Sequence, residues 1–161
     1  MNTPRTILLS VRPKWAELIL AGRKTLEYRR RLPAGCYQHI QWAWLYETKP
    51  VGRIVARLTV RMWAGDVFDE QAGCLSRAEY DAYFRGAEFA YGIRIDRVER
   101  LATPIALADI GLSRAPQSWR YLPQQAATRM IMRAVFTFTE DNALWKLCPH
   151  CYGAVPVEVA K

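Results

Sequence analysis

Residues 21–31, AGRKTLEYRRR, set a lysine, a glutamate, a tyrosine and several arginines within a few positions of one another. If the chain is a strand from Lys24 onward, alternate side chains share a face. Lys24, Leu26, Tyr28 and Arg30 then point one way, and Thr25, Glu27, Arg29 and Arg31 the other. A hydroxyl, a carboxylate and two guanidiniums on one face would suit an anion or a nucleobase. Planar guanidiniums match phosphate oxygens or base edges, and a carboxylate among them accepts from an exocyclic amine. The same residues also suit a solvated edge strand whose charges pair with one another and contribute little.

Other residues could extend such a site. Arg12 and Lys14 fall at the start of a helical pattern, where the positive dipole end and free amides favour anions, although a solvated role fits them as well. Trp42, Trp44 and Tyr46 recur at period two. The two tryptophans suit core filling, while Tyr46, near the strand end, is the better ligand candidate, since a base stacked on an aromatic ring gains about 1–3 kcal/mol. The segment PQSWRYL at 116–122 reads as a loop, and loops carried on a rigid scaffold are common binding elements. There Gln117 could read a base edge, Trp119 or Tyr121 could stack, and Arg120 could hold a phosphate; alternatively the two aromatics plug the mouth of a barrel.

Cys148 and Cys151 stand two residues apart, and Cys36 and His39 repeat that spacing. Together they would make a structural zinc site with three thiolates and one imidazole. Two tails sharing one ion, or ordinary thiols, are the alternatives, and no other cofactor is required. A serine triad is poorly supported with only His39 and His150 available, and no Gly-rich phosphate loop is present.

The elements that would position these residues follow from periodicity. Residues 6–11 form an apolar run that reads as a buried strand. Pro13 suits a first helical position, Trp15, Leu18 and Ile19 recur at helical spacing, and Gly22 suits a left-handed cap. Strands are expected over 38–47, 51–63 and 89–101. The second carries Ile54, Ala56, Leu58 and Val60 on one face and a basic outer stripe of Arg53, Arg57 and Arg61 on the other. Ser76 and Glu79 form a capping box for a helix over 77–85. Pro104 argues for a connection over 103–112. A helix over 124–134 and a short strand over 135–139 close the pattern, with Met130 and Met132 filling the core.

The chain has 161 residues, 51% of them hydrophobic, enough for one domain with a real core. Its 23 basic against 15 acidic residues give a net charge of +8, which favours polyanionic partners. No apolar run reaches the roughly 18 residues of a spanning helix, and the N-terminus lacks a signal-peptide core. A soluble, cytoplasmic protein with reduced cysteines is expected.

The opening LLSVRPKWAELILAGRKTLEYRRR resembles that of ASCH domains, members of the PUA-like β-barrel superfamily, with Gly22, Lys24, Glu27 and Arg29 at a G-x-K-x-x-E-x-R signature. WAWLYETKPVGRIVARLTV, YFRG, YGIRI and APQSWRYL are also similar to that family. The resemblance implies an α+β fold: a PUA-like mixed β-barrel flanked by short helices. Its core would run over about 7–122, followed by a helix–strand extension and the CPHC tail. It further implies a cleft that handles RNA, single-stranded nucleic acid or a nucleoside-like ligand. Family members include RNA-binding proteins, a nuclease activity and amidohydrolases of acetylated cytidine. In those amidohydrolases a threonine nucleophile follows the lysine by three positions; this chain has Glu27 there, which departs from that mechanism but leaves a general base toward water.

The expectation is therefore a basic cleft for RNA or a modified nucleoside. Lys24 and Arg29 contact phosphate or a carbonyl, Glu27 accepts from a base amine or polarises water, and Tyr46 with Trp119 bounds the base. A ribonuclease or nucleoside amidohydrolase using Lys24 and Glu27 in the same cleft is the alternative, and a regulatory module docking on a protein–RNA complex is a third.

Overall fold

The computed structural model describes residues 5–32, 37–137, 144–147 and 154–156. It opens with β1 (Ile7–Val11), every residue of which is buried. Pro13 then starts α1 (Pro13–Leu20), with Arg12 as N-cap. The helix is followed by Gly22 at φ +71°, a conformation that glycine adopts without the clash of a Cβ. A short β2 (Leu26–Arg29) leads through a 3-10 turn at Tyr37–His39 into β3 (Trp42–Glu47) and the long β4 (Arg53–Ala64). Next come α2 (Glu70–Gly73), α3 (Arg77–Phe84), the 15-residue β5 (Tyr91–Ile105), a 3-10 turn at Leu107–Ile110, β6 (Trp119–Tyr121) and α4 (Gln124–Arg133). Three short strands follow, β7 (Val135–Thr137), β8 (Leu144–Leu147) and β9 (Ala154–Pro156).

The strands line up as β6-β1-β3-β4-β5-β7-β8-β9, with β2 also paired to β5. The sheet is mixed because β1 runs parallel to β3 while β1–β6, β3–β4, β4–β5 and β2–β5 are antiparallel. A parallel pair needs a crossover, and α1 with β2 supplies it. The sheet curls into a half-barrel carrying short helices, the α+β architecture expected from the sequence. One apolar cluster fills the curl, with Ile7, Leu9, Ile19, Leu45, Leu58 and Ile93 at its centre. A second lies on the opposite face between β1, β3 and α4, and a third joins β2 to α3 through Leu26, Tyr28, Val67 and Tyr80. Among the described residues no helix is long and apolar enough to cross a membrane.

The capping box is present, with Ser76 N–H donating to Glu79 Oε2 at 2.8 Å and Glu79 N–H to Ser76 Oγ at 3.3 Å. Several expectations give way to tertiary context. Arg57 does not belong to a solvent-facing stripe: it sits directly opposite Glu99 on β5, and the pair is buried. Residue 104 lies inside β5, because pairing to β4 lapses between Arg100 and Ile105 and no ladder bond is asked of the proline. The segment 119–121 is strand, held against β1, and not loop. Met130 is fully buried, but Met132 is 75% exposed because only one side of α4 meets the sheet.

Candidate functional site

Lys24 precedes β2 and is not part of its pleat. The backbone around it is anchored by Lys24 N–H to Leu18 O (3.0 Å) and Thr25 N–H to Ala72 O (3.0 Å). Strict alternation places Lys24 and Glu27 on opposite faces. Because the strand begins only at Leu26, the Lys24 side chain instead turns to the same side as Glu27 and Arg29. Its Nζ donates to Leu26 O at 2.8 Å and to Gly73 O, and lies 3.4 Å from Glu27 Oε2. The rings of Trp15 and Tyr28 stand 5.1 and 5.3 Å from it. Burial pushes the ammonium pKa below its ordinary value, and the Glu27 carboxylate opposes that shift.

Glu27 bridges two cations. Its Oε1 lies 3.1 Å from Arg29 Nη2, which also donates to Ser10 O at 2.8 Å. Arg29 Nε is buried and has no hydrogen-bond partner. An orphaned buried donor on a guanidinium is a place for an acceptor from outside the chain.

The three residues line a cleft of about 650 Å³ between β1, α1, β2 and α3. Arg12 and Gln117 stand at its walls. Gln117 is carried there because Ser10 Oγ donates to Pro116 O at 2.7 Å and Ser10 N–H to Ser118 O at 2.9 Å, stitching this segment across the end of β1. Tyr83, from α3, is a wall that sequence spacing did not single out. Its hydroxyl donates to Tyr28 O at 3.3 Å, and burial raises its pKa against the opposing influence of Arg29. Trp15 likewise lines the cleft, although helical periodicity marks it only as core. The one available signal was that Tyr80, Tyr83 and Phe84 put more aromatic surface on α3 than one buried stripe needs.

The remaining candidates lie elsewhere. Lys14 is exposed, its Nζ 4.5 Å from the Trp15 ring centre, outside the cleft lining. Trp119 packs against the core inside the curl and donates through Nε1 to Arg31 O at 2.8 Å, so it does not bound the cleft. Arg120, opposite Leu8 in the β1–β6 ladder, is also absent from the lining. Tyr46 is buried against the second apolar cluster and faces a different groove. The two aromatics thus lie on opposite faces of the sheet, Trp119 inside the curl and Tyr46 against the second cluster. His39 is exposed on its 3-10 turn, whereas Cys36, Cys148 and Cys151 lie outside the described residues. Among the described residues no group of three or more His, Cys, Asp or Glu could hold a metal.

With this geometry in place, comparison with known proteins is informative. The family model of the ASCH domain matches residues 9–99, which spans β1 through most of β5 and so includes the Lys24, Glu27 and Arg29 wall. The chain is similar to an ASCH domain-containing ribonuclease of Zymomonas mobilis, 29% identical over 135 residues that cover 77% of this chain and 88% of that one. The crystal structure of ASCH from Zymomonas mobilis superposes with a TM-score of 0.69 at 25% identity, covering 82% of this chain and 97% of that chain. A tyrosine-to-phenylalanine variant of that protein gives 0.68 at 25% identity, covering 80% and 98%. A curled mixed sheet with the signature wall at its cleft, matched over more than half its length by the family model, makes this chain a member of the ASCH domain family.

Proposed function

We propose that the cleft binds RNA by accepting one nucleotide against the Lys24, Glu27 and Arg29 wall. The observation that carries this reading is a 650 Å³ cleft lined by Arg29, whose buried Nε has no partner, together with the cations Lys24 and Arg12. Arg29 and the exposed Arg12 are the phosphate contacts. Each carboxylate oxygen of Glu27 meets one cation, which leaves lone pairs for an exocyclic amine or a water. Lys24 is only 3% exposed, and its three donors are directed at Leu26 O, Gly73 O and Glu27. Its role is to hold Glu27 in place and not to reach phosphate itself. Tyr83 and Trp15 flank the base, and Gln117 offers an amide to its edge.

Phosphodiester cleavage in the same cleft is the second reading, favoured by the relative named as a ribonuclease and by the lowered pKa of Lys24. A base must take the 2′-hydroxyl proton as its oxygen attacks phosphorus, and an acid must protonate the 5′-oxygen as its bond to phosphorus breaks; Glu27 beside a lysine whose pKa burial lowers supplies such a pair. Both readings are tested by following binding and product for a labelled oligoribonucleotide. Arg29→Gln is expected to weaken binding by about 1.5–3 kcal/mol, the range for a hydrogen bond to a charged group. Unchanged affinity in a folded Arg29→Gln protein would remove the cleft as the binding site. Glu27→Gln with retained binding and lost product assigns catalysis to Glu27; binding with no product from the wild type makes the cleft a reader.

A further inference from the structure

Beside the cleft lies a second groove of about 520 Å³, formed by Tyr46 near the end of β3, by Thr48 and Lys49 just after it, and by Leu107 and residues 113–115. Thr48 lines both spaces, so they adjoin. The segment 113–117 also serves both, since Arg114 faces the groove and Gln117 the cleft. Three residues of chain span at most about 10 Å, so the two sites are neighbours on one face.

The groove has the chemistry of a ligand site. Lys49 and Arg114 are exposed and make no ion pair among the described residues, and no acidic residue lines the groove. Tyr46 is only 7% exposed, yet its hydroxyl makes no hydrogen bond among the described residues. Gly52 leaves room beside that hydroxyl, which would stand 3.6 Å from a Cβ added there. A buried phenol ordinarily finds a partner. Tyr46 lines the groove, so a ligand seated there can supply that partner.

We propose that this groove is a second nucleotide subsite, which seats the residue adjoining the one in the cleft on the same RNA strand. Lys49 and Arg114 hold the phosphate between the two nucleotides, and the Tyr46 hydroxyl bonds to a polar atom of the second base or sugar. The inference rests on the reading of the cleft as an RNA site, and a length series separates the two.

Binding of a nucleoside monophosphate and of oligoribonucleotides of increasing length is measured by competition at fixed salt. The wild type is expected to gain about tenfold in affinity when the ligand grows from one nucleotide to two or three. A Lys49→Gln, Arg114→Gln double variant abolishes that gain while leaving monophosphate binding unchanged. It also lowers the slope of log affinity against log salt by about 0.7 for each phosphate that the variant no longer neutralises. Tyr46→Phe reduces the gain without altering the salt slope. Monophosphate binding with no gain from length, or a gain that survives the double variant, overturns the second subsite alone. Failure of every ligand to bind overturns the cleft reading and the subsite together.

Discussion

Two buried ion clusters occupy neighbouring strands, and they are built to opposite ends. On β4 and β5, Arg57 Nε donates to Glu99 Oε2 at 2.6 Å, Arg97 approaches the other oxygen at 3.8 Å, and the Arg57 guanidinium lies 5.9 Å from the Trp42 ring centre. Glu99 is only 2% exposed. At β2 the contacts of Glu27 are longer, 3.4 and 3.1 Å, one guanidinium nitrogen lacks a partner, and the whole group opens on a cleft. A tight cross-strand pair sealed from solvent is a fold feature, because its hydrogen-bonding capacity is met within the chain. A looser group with capacity left over is a site.

That contrast breaks first at the sealed pair. Arg57→Ala or Glu99→Ala leaves a buried charge without its close partner and should cost about 3–5 kcal/mol in urea unfolding, less in Arg57→Ala to the extent that Arg97 takes over. The Arg57→Met, Glu99→Leu double variant should recover much of that loss, since an apolar replacement removes both charges together. Affinity for RNA per folded molecule should not change in either. A double variant as unstable as the single ones would mean that the pair does more than satisfy itself.

A smaller effect is expected at the end of α2, which supports the open group. Gly73 ends α2, and its carbonyl accepts from Lys24. A Cβ at this position would run into the Tyr28 ring and hydroxyl. Tyr28 in turn donates to Asp69 O at 2.9 Å and accepts from Asp69 N–H at 3.0 Å, so it cannot swing aside without breaking both bonds. Gly73→Ala should therefore destabilise by about 1–3 kcal/mol and, unlike the Arg57 variants, also weaken RNA binding. Full affinity in that variant would show that the Lys24 carbonyl contacts do not position Glu27.

The same contrast bears on what could be read from the residue order. The capping box at Ser76 and Glu79 and the Pro13 helix start rest on local rules, and the fold follows them. The Lys24, Glu27 and Arg29 wall was legible as a spacing, but its geometry was not. Whether Lys24 belongs to the pleat depends on bonds to Leu18 and Ala72, which no local pattern encodes. Arg57 reads as a surface residue until Glu99, 42 positions later, is set opposite it. Tyr83 enters the cleft only because α3 packs over β2, again a long-range event.

The subtlest test concerns the proton on Lys24 in the open group, where burial outweighs the opposing pull of Glu27. Its folded pKa lies below the ordinary 10.5, so the folded state releases this proton before the unfolded chain does. In the window beneath 10.5 the unfolded chain therefore binds more protons, and stability contributed at this site rises with pH. The penalty for burying the ammonium is fully present below the folded pKa and is relieved as pH climbs through it. Tyr28, Tyr80 and Tyr83 act in the opposite sense, since their raised pKa values make the fold lose stability above about pH 10. Urea unfolding of the wild type and Lys24→Met between about pH 8 and pH 10 isolates the lysine. Both proteins should carry Cys74→Ser, because the Cys74 thiol also acts on the ammonium. The stability difference, wild type minus variant, should grow with pH at no more than about 1.4 kcal/mol per unit. A difference that stays flat would mean that Glu27 and the two carbonyls fully compensate the buried charge, and the β2 group would then be as self-satisfied as the Arg57–Glu99 pair.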